Sequence, residues 1–202
     1  MAGSLPLPCL SDIAATQDAS PEGPLANALA TLFEPSPSLY TNLVPALAHA
    51  VRGPRTYHAL VDDATREILS WPPGQQVAFV GAHPRIGEVS GLSALSAQEQ
   101  ASRKTPTEVF IRLGELNVAY ERKYEGLRYI TFVNGRSQQE IMEEMEEKLG
   151  VGKGAIDPAT LESVPIGSTE WETEVRRAVE DVGRIAKARL AMMGVSGEAE
   201  EC

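Results

Sequence analysis

His83, Glu99 and Arg189 are the side chains in this sequence whose surroundings raise a chemical question. His83 closes the apolar run VAFVGA and is followed by Pro84, a residue that disfavours helical geometry at the position before it, so the imidazole is expected where a helix has just stopped. With a reference pKa near 6.5, histidine exchanges protons around neutrality and suits acid or base work; at a helix end it equally serves to satisfy a backbone carbonyl. Glu99 belongs to Ser96-Ala97-Gln98-Glu99-Gln100, where Ser-x-x-Glu is the pattern of a helix capping box. A capping serine does not prevent a first-turn carboxylate from facing a cleft. Arg189 falls where the stripe Val175, Ala178, Val182, Ile185 calls for another hydrophobe. Such a guanidinium snorkels along its carbon stem, enters a buried ion pair or reaches a ligand.

Other chemistries find less support. His49 and His58 lie inside helical patterns, there is no His-x-x-x-His pair, and Cys9 and Cys202 are too few for a disulfide framework or a cysteine metal cluster, so no metal site is expected. The cysteine count fits a reducing compartment. GVGKG has the wrong spacing for a phosphate loop and follows a helical pattern, which argues against nucleotide binding. The acidic run Glu140, Glu143, Glu144, Glu146 and Glu147 is read as a solvated helix face. A formal charge of -10 repels phosphate backbones, so nucleic acid is not an expected partner. No apolar run reaches the roughly 18 residues of a membrane span. MAGSLPLPCLSDI lacks the basic leader and apolar core of a secretory signal, and GEAEEC is not a Ser-Lys-Leu address; a cytoplasmic or peroxisomal location is expected.

The elements that must carry these side chains read as helices. Leu25, Leu29, Leu32 and Phe33 share one helical face that ends at EPSPS; Leu39, Leu43, Leu47 and Val51 form a second, kinked or delayed by Pro45. Tyr57, Leu60, Val61, Ala64 and Ile68 make a third, closed by WPPG, and 75–82 a short fourth. Thr105, Pro106 and Glu108 predict a capping box opening the helix of Val109, Leu113, Leu116 and Tyr120, and Ser137 with Glu140 predicts another leading to Ile141, Met145 and Leu149. Between them LRYITFVNGR is the best extended segment, and a long helix covers about 169–193. Six or seven helices without βαβ alternation predict an all-α, single-domain bundle over 21–194, with an N-terminal extension at 1–20, a Gly- and Pro-rich loop insertion at 150–168 and a flexible tail at 195–202.

Together AHPRIGE, SAQEQ, LNVAYERKYEGLRYITFVNGR and VGRIAKARL resemble the 2-oxo-4-hydroxy-4-carboxy-5-ureidoimidazoline (OHCU) decarboxylase family of urate degradation. The resemblance covers four ordered blocks over about residues 77–190. It implies an all-α fold, often homodimeric, that decarboxylates a small urate-derived substrate to (S)-allantoin without metal or organic cofactor. By motif, His83 would be the proton donor and Glu99 its polar partner, with Pro84, Ser96 and Gln100 as pocket contacts. Tyr129, Ile130, Thr131, Phe132 and Val133 would offer backbone hydrogen bonds to ring or ureido amides, and Arg189 would reach the same pocket. Two departures stand out: Arg85 replaces an acidic or small residue, and Arg128 stands where proline is usual in the pocket block. They leave open a divergent member acting on another ureide, or a non-catalytic helical interaction protein.

Overall fold

The computed structural model describes residues 7–49, 56–88 and 105–195, and these contain eight α-helices and no strand. In chain order they are α1 (Leu10–Thr16), α2 (Pro24–Leu32), α3 (Val44–Ala48), α4 (Tyr57–Ser70), α5 (Pro73–Val80), α6 (Thr107–Lys123), α7 (Gln138–Leu149) and α8 (Thr169–Met192). The fold is all-α, as the periodicities predicted. Pro45 is absorbed in the first turn of α3, directly after a π-helical turn over Leu39–Leu43. Its missing N–H falls where the π-helical turn passes into α3.

Helix starts follow local chemistry in some places and not in others. The Ser137 hydroxyl accepts from the Glu140 N–H at 3.2 Å while the Glu140 carboxylate accepts from the Ser137 N–H at 2.6 Å, the reciprocal capping box expected for α7. The box expected at Thr105 does not form: Pro106, with ψ of 146°, is the extended residue before α6, so Thr105 lies outside the cap position. Thr56 and Ser168 cap α4 and α8 instead, accepting from the Ala59 and Trp171 N–H groups.

Two apolar clusters fill the interior. The first gathers α1 to α5, with Leu29, Phe33, Leu43, Val61, Ile68 and Phe79 buried against Ala178, Val182 and Leu190 of α8. The second packs Leu113, Leu116 and Tyr120 of α6 on Ile141 and Met145 of α7, with Trp171 and Val175 from the first turns of α8. Helix α8 therefore threads both. It packs tightly on α4 at Gly183, where an added Cβ would stand 2.6 Å from Thr65 Oγ1. Cys9, just before α1, is disulfide-bonded.

Residues 127–133 form no helix; Asn134 and Gly135, both at positive φ, turn the chain toward α7. Tyr129 joins the second cluster and its neighbour Ile130 the first, the alternation of an extended chain lying between two cores. The acidic face of α7 is only partly solvated. Glu146 is buried and accepts from Arg112 Nε at 2.7 Å, and Glu144 accepts from the Tyr129 hydroxyl at 2.8 Å and pairs with Arg136. Pairing with neighbouring basic groups, which a solvated-face reading omits, buries Glu146 and holds the partly exposed Glu144 against the protein. No helix among the described residues is long and apolar enough to cross a membrane.

Candidate active site

Helix α5 stops at Val80; the Ala82 and His83 N–H groups then bond the Phe79 and Val80 carbonyls in a tightening turn, and Pro84 carries the chain away. This local geometry turns the His83 ring back against the first cluster, 6.2 Å between centroids from Phe79. His83 is 3% exposed, and neither ring nitrogen has a hydrogen-bond partner among the described residues. A buried imidazole so poorly partnered is costly, and only the Val80 backbone at the helix end works with Glu34 to favour a charged ring.

Burial holds His83 down from 6.5 to about 4, with the Arg189 and Arg128 guanidinium groups adding to the effect and Glu34 opposing it. The resting ring at neutral pH is imidazole. An imidazolium proton donor, as the resemblance implied, must therefore acquire its proton together with the substrate.

Arg189 is 2% exposed and forms a buried ion pair: Nη2 donates to Glu34 Oε1 at 2.8 Å and Nη1 to the Leu32 carbonyl at 3.2 Å. Of the three roles open to this arginine, the structure shows the buried pair, beside His83. Glu34, 6% exposed, was missed in the sequence because EPSPS reads as a helix terminator. Its one signal was a carboxylate placed directly after the apolar stripe of α2.

The loop after His83 is held by α6. Asn117 Nδ2 donates to the Ile86 carbonyl at 2.9 Å, and Arg85 reaches Glu121 in a two-point contact at 2.6 and 2.8 Å. Leu113 lies against Gly87, whose φ of +81° an L side chain would strain. Thus Leu-Asn-x-x-Tyr serves the His-Pro turn: Leu116 packs in the core, Asn117 pins the turn, and Tyr120 donates to Glu174 at 2.6 Å. Arg128 donates to the His83 carbonyl. Both departures from the family pattern are accommodated, Arg85 by a carboxylate on α6 and Arg128 by the backbone of the turn it braces.

The segment Tyr129–Val133 is fastened through its carbonyls. Arg177 donates to the Ile130 carbonyl at 2.8 Å, and Arg136 to the Phe132 and Val133 carbonyls. Arg177 itself sits among Glu174 and Asp181. Burial works against ionised Glu174, yet hydrogen bonds from Arg177, Lys148 and Tyr120 hold its pKa below the usual carboxylate value. The N–H groups of residues 129–133 have no hydrogen-bond acceptor among the described residues. Tyr129 directs its hydroxyl to Glu144.

His83, Arg189 and Glu34 are thus brought together, with half-buried Pro84 following the histidine. Ser96, Glu99 and Gln100 lie outside the described residues. Among the described residues no group of three or more His, Cys, Asp or Glu is arranged to hold a metal ion. No curated protein matches the chain. Residues 18–191 match the family model described as OHCU decarboxylase, a span that contains every site residue named above. With that match covering nearly all of its 202 residues, the chain belongs to the OHCU decarboxylase family, a family of decarboxylases in urate degradation.

Proposed function

We propose that this protein decarboxylates 2-oxo-4-hydroxy-4-carboxy-5-ureidoimidazoline to (S)-allantoin without a metal or organic cofactor. The observation that carries the reading is His83, a buried imidazole with both nitrogens unpartnered among the described residues, beside a buried arginine. Buried donors and acceptors left without protein partners are where a ligand's polar atoms fit.

The reaction breaks one carbon–carbon bond, releases carbon dioxide and leaves an electron pair that the conjugated ring takes up. One proton is then added to carbon on one face. Resting His83 is neutral, but a substrate carboxylate brought against it supplies the opposite charge that favours imidazolium. The ring therefore takes up a proton as substrate binds and delivers it after carbon dioxide has left. A general acid so placed contributes typically about 10² to 10⁴ in rate. In this reading Glu99 is the polar partner of His83 at the substrate, and Pro84, Ser96 and Gln100 line the pocket. The backbone N–H groups of Tyr129, Ile130, Thr131, Phe132 and Val133 donate to substrate oxygens, and Arg189 holds a ring or ureido oxygen. A fork closed on the departing carboxylate would stabilise the ground state instead. The protein acts as a homodimer in this reading, which sedimentation tests.

Circular dichroism on substrate freshly made from urate by urate oxidase and hydroxyisourate hydrolase tests the reading. Faster appearance of optically active (S)-allantoin is expected. Decay at the spontaneous rate to racemic product would refute it and turn attention to related ureides.

A further inference from the structure

The Glu34–Arg189 pair has a feature that pocket lining alone does not require: a full charge is cancelled deep in the protein, next to where an anion is to be bound. Arg189 comes from the last turn of α8 and Glu34 from the residues just after α2, and 2.8 Å separates Arg189 Nη2 from Glu34 Oε1. The Leu32 carbonyl takes a second donor, so the guanidinium plane is set from two directions by one short stretch of chain. An arginine gripped on both terminal nitrogens keeps its orientation, and one beside a carboxylate presents much less net charge to an incoming anion.

A substrate that must lose its carboxylate is served poorly by a strong cation. Tight binding of that group lowers the ground state more than the transition state, in which the charge has moved into the ring. Resting on the decarboxylase reading above, we propose that Glu34 is a positioning residue of the reaction: it aims Arg189 and cancels its charge, so that the site holds the substrate without clamping the carboxylate it must release. The groups facing His83 fit this division of labour. Arg189 from α8 and Arg128 from the segment after α6 oppose a proton on the ring, and Glu34 from the α2 end favours one.

The test is steady-state kinetics of Glu34→Gln and Glu34→Asp on the enzymatically generated substrate. Glu34→Gln removes the carboxylate charge set against the guanidinium, so KM falls about tenfold and kcat falls at least about tenfold. Glu34→Asp keeps the charge but withdraws it by about one carbon–carbon bond, roughly 1.5 Å, and shifts both constants in the same directions by less. A structural role alone would reduce the folded, active fraction and leave KM in place. An unchanged or raised KM in folded Glu34→Gln overturns the proposal; should that variant not fold, an unchanged KM in Glu34→Asp does so. If the wild-type protein itself fails to accelerate the reaction, the decarboxylase reading falls on its own. The pair is then tested by the NMR titration of the His83 ring in the ligand-free protein. A midpoint lowered in the Glu34 variants supports the coupling of the pair to the ring, and an unmoved one overturns it.

Discussion

Lowering the pH from about 7 to about 5 should cost this protein roughly 2 kcal/mol of folding stability through His83 alone. In the unfolded chain the ring takes up a proton below 6.5; in the folded protein burial and two neighbouring guanidinium groups delay that uptake to about 4. Between those values the unfolded state binds more protons, so stability rises with pH through the window. The contribution is fully present above 6.5 and is lost as the pH falls to about 4. At about 1.4 kcal/mol per pH unit the whole window comes to roughly 3 kcal/mol, most of it already lost by about pH 5. Glu174, whose pKa lies below the ordinary carboxylate value, adds to acid lability only further down, so the interval above pH 5 isolates the histidine. The assay is urea unfolding of wild type and His83→Asn at half-unit steps from about pH 7.5 to about pH 5. The wild-type unfolding free energy should fall across this range and that of His83→Asn should stay nearly level, whatever its absolute stability. Parallel curves for the two proteins would refute the assignment of a depressed pKa to His83, and with it the neutral resting imidazole on which the proton uptake at substrate binding depends.

Three further outcomes follow from the geometry. His83→Asn should keep the helical circular dichroism spectrum and lose at least about 10²-fold in the rate of (S)-allantoin formation, since the general acid is gone; a folded variant with full activity would remove His83 from the chemistry. Asn117→Ala leaves the Ile86 carbonyl without its 2.9 Å donor and should cost about 1–3 kcal/mol in chemical unfolding, with a further drop in kcat as the turn carrying His83 loosens; wild-type kcat would show that the turn needs no such brace. Gly183→Ala puts a Cβ 2.6 Å from Thr65 Oγ1 at the α4–α8 crossing, so thermal unfolding should show a loss of about 1–3 kcal/mol, where unchanged stability would mean that the helices separate freely there.

The helices from α2 onward were legible because they are written in repeats that the chain can realise locally, whereas α1, within the stretch read as an N-terminal extension, has no such stripe. The stripe Tyr57, Leu60, Val61, Ala64, Ile68 becomes α4, and Ser137 with Glu140 closes a capping box within four residues of sequence. Even the failed box at Thr105 has a local cause, since Pro106 takes the extended position before α6. The pairing of Glu144 and Glu146 was not legible, because their partners Arg136 and Arg112 come from outside α7.

The site divides in the same way. By itself the sequence determined that His83 stands at a helix end, that an arginine interrupts the last apolar stripe, and, through four ordered motifs, to which family these residues belong. Only the tertiary structure decided what the residues are doing. Glu34 meets Arg189 across 155 positions of chain, and Arg128 and Asn117 brace the His83 turn from 45 and 31 positions away. The physical reason lies in the kind of interaction. Hydrophobic periodicity and capping act over a few residues and leave their mark in spacing, whereas a pKa set by burial and an ion pair stable in the interior arise only when distant segments exclude water from the same small volume.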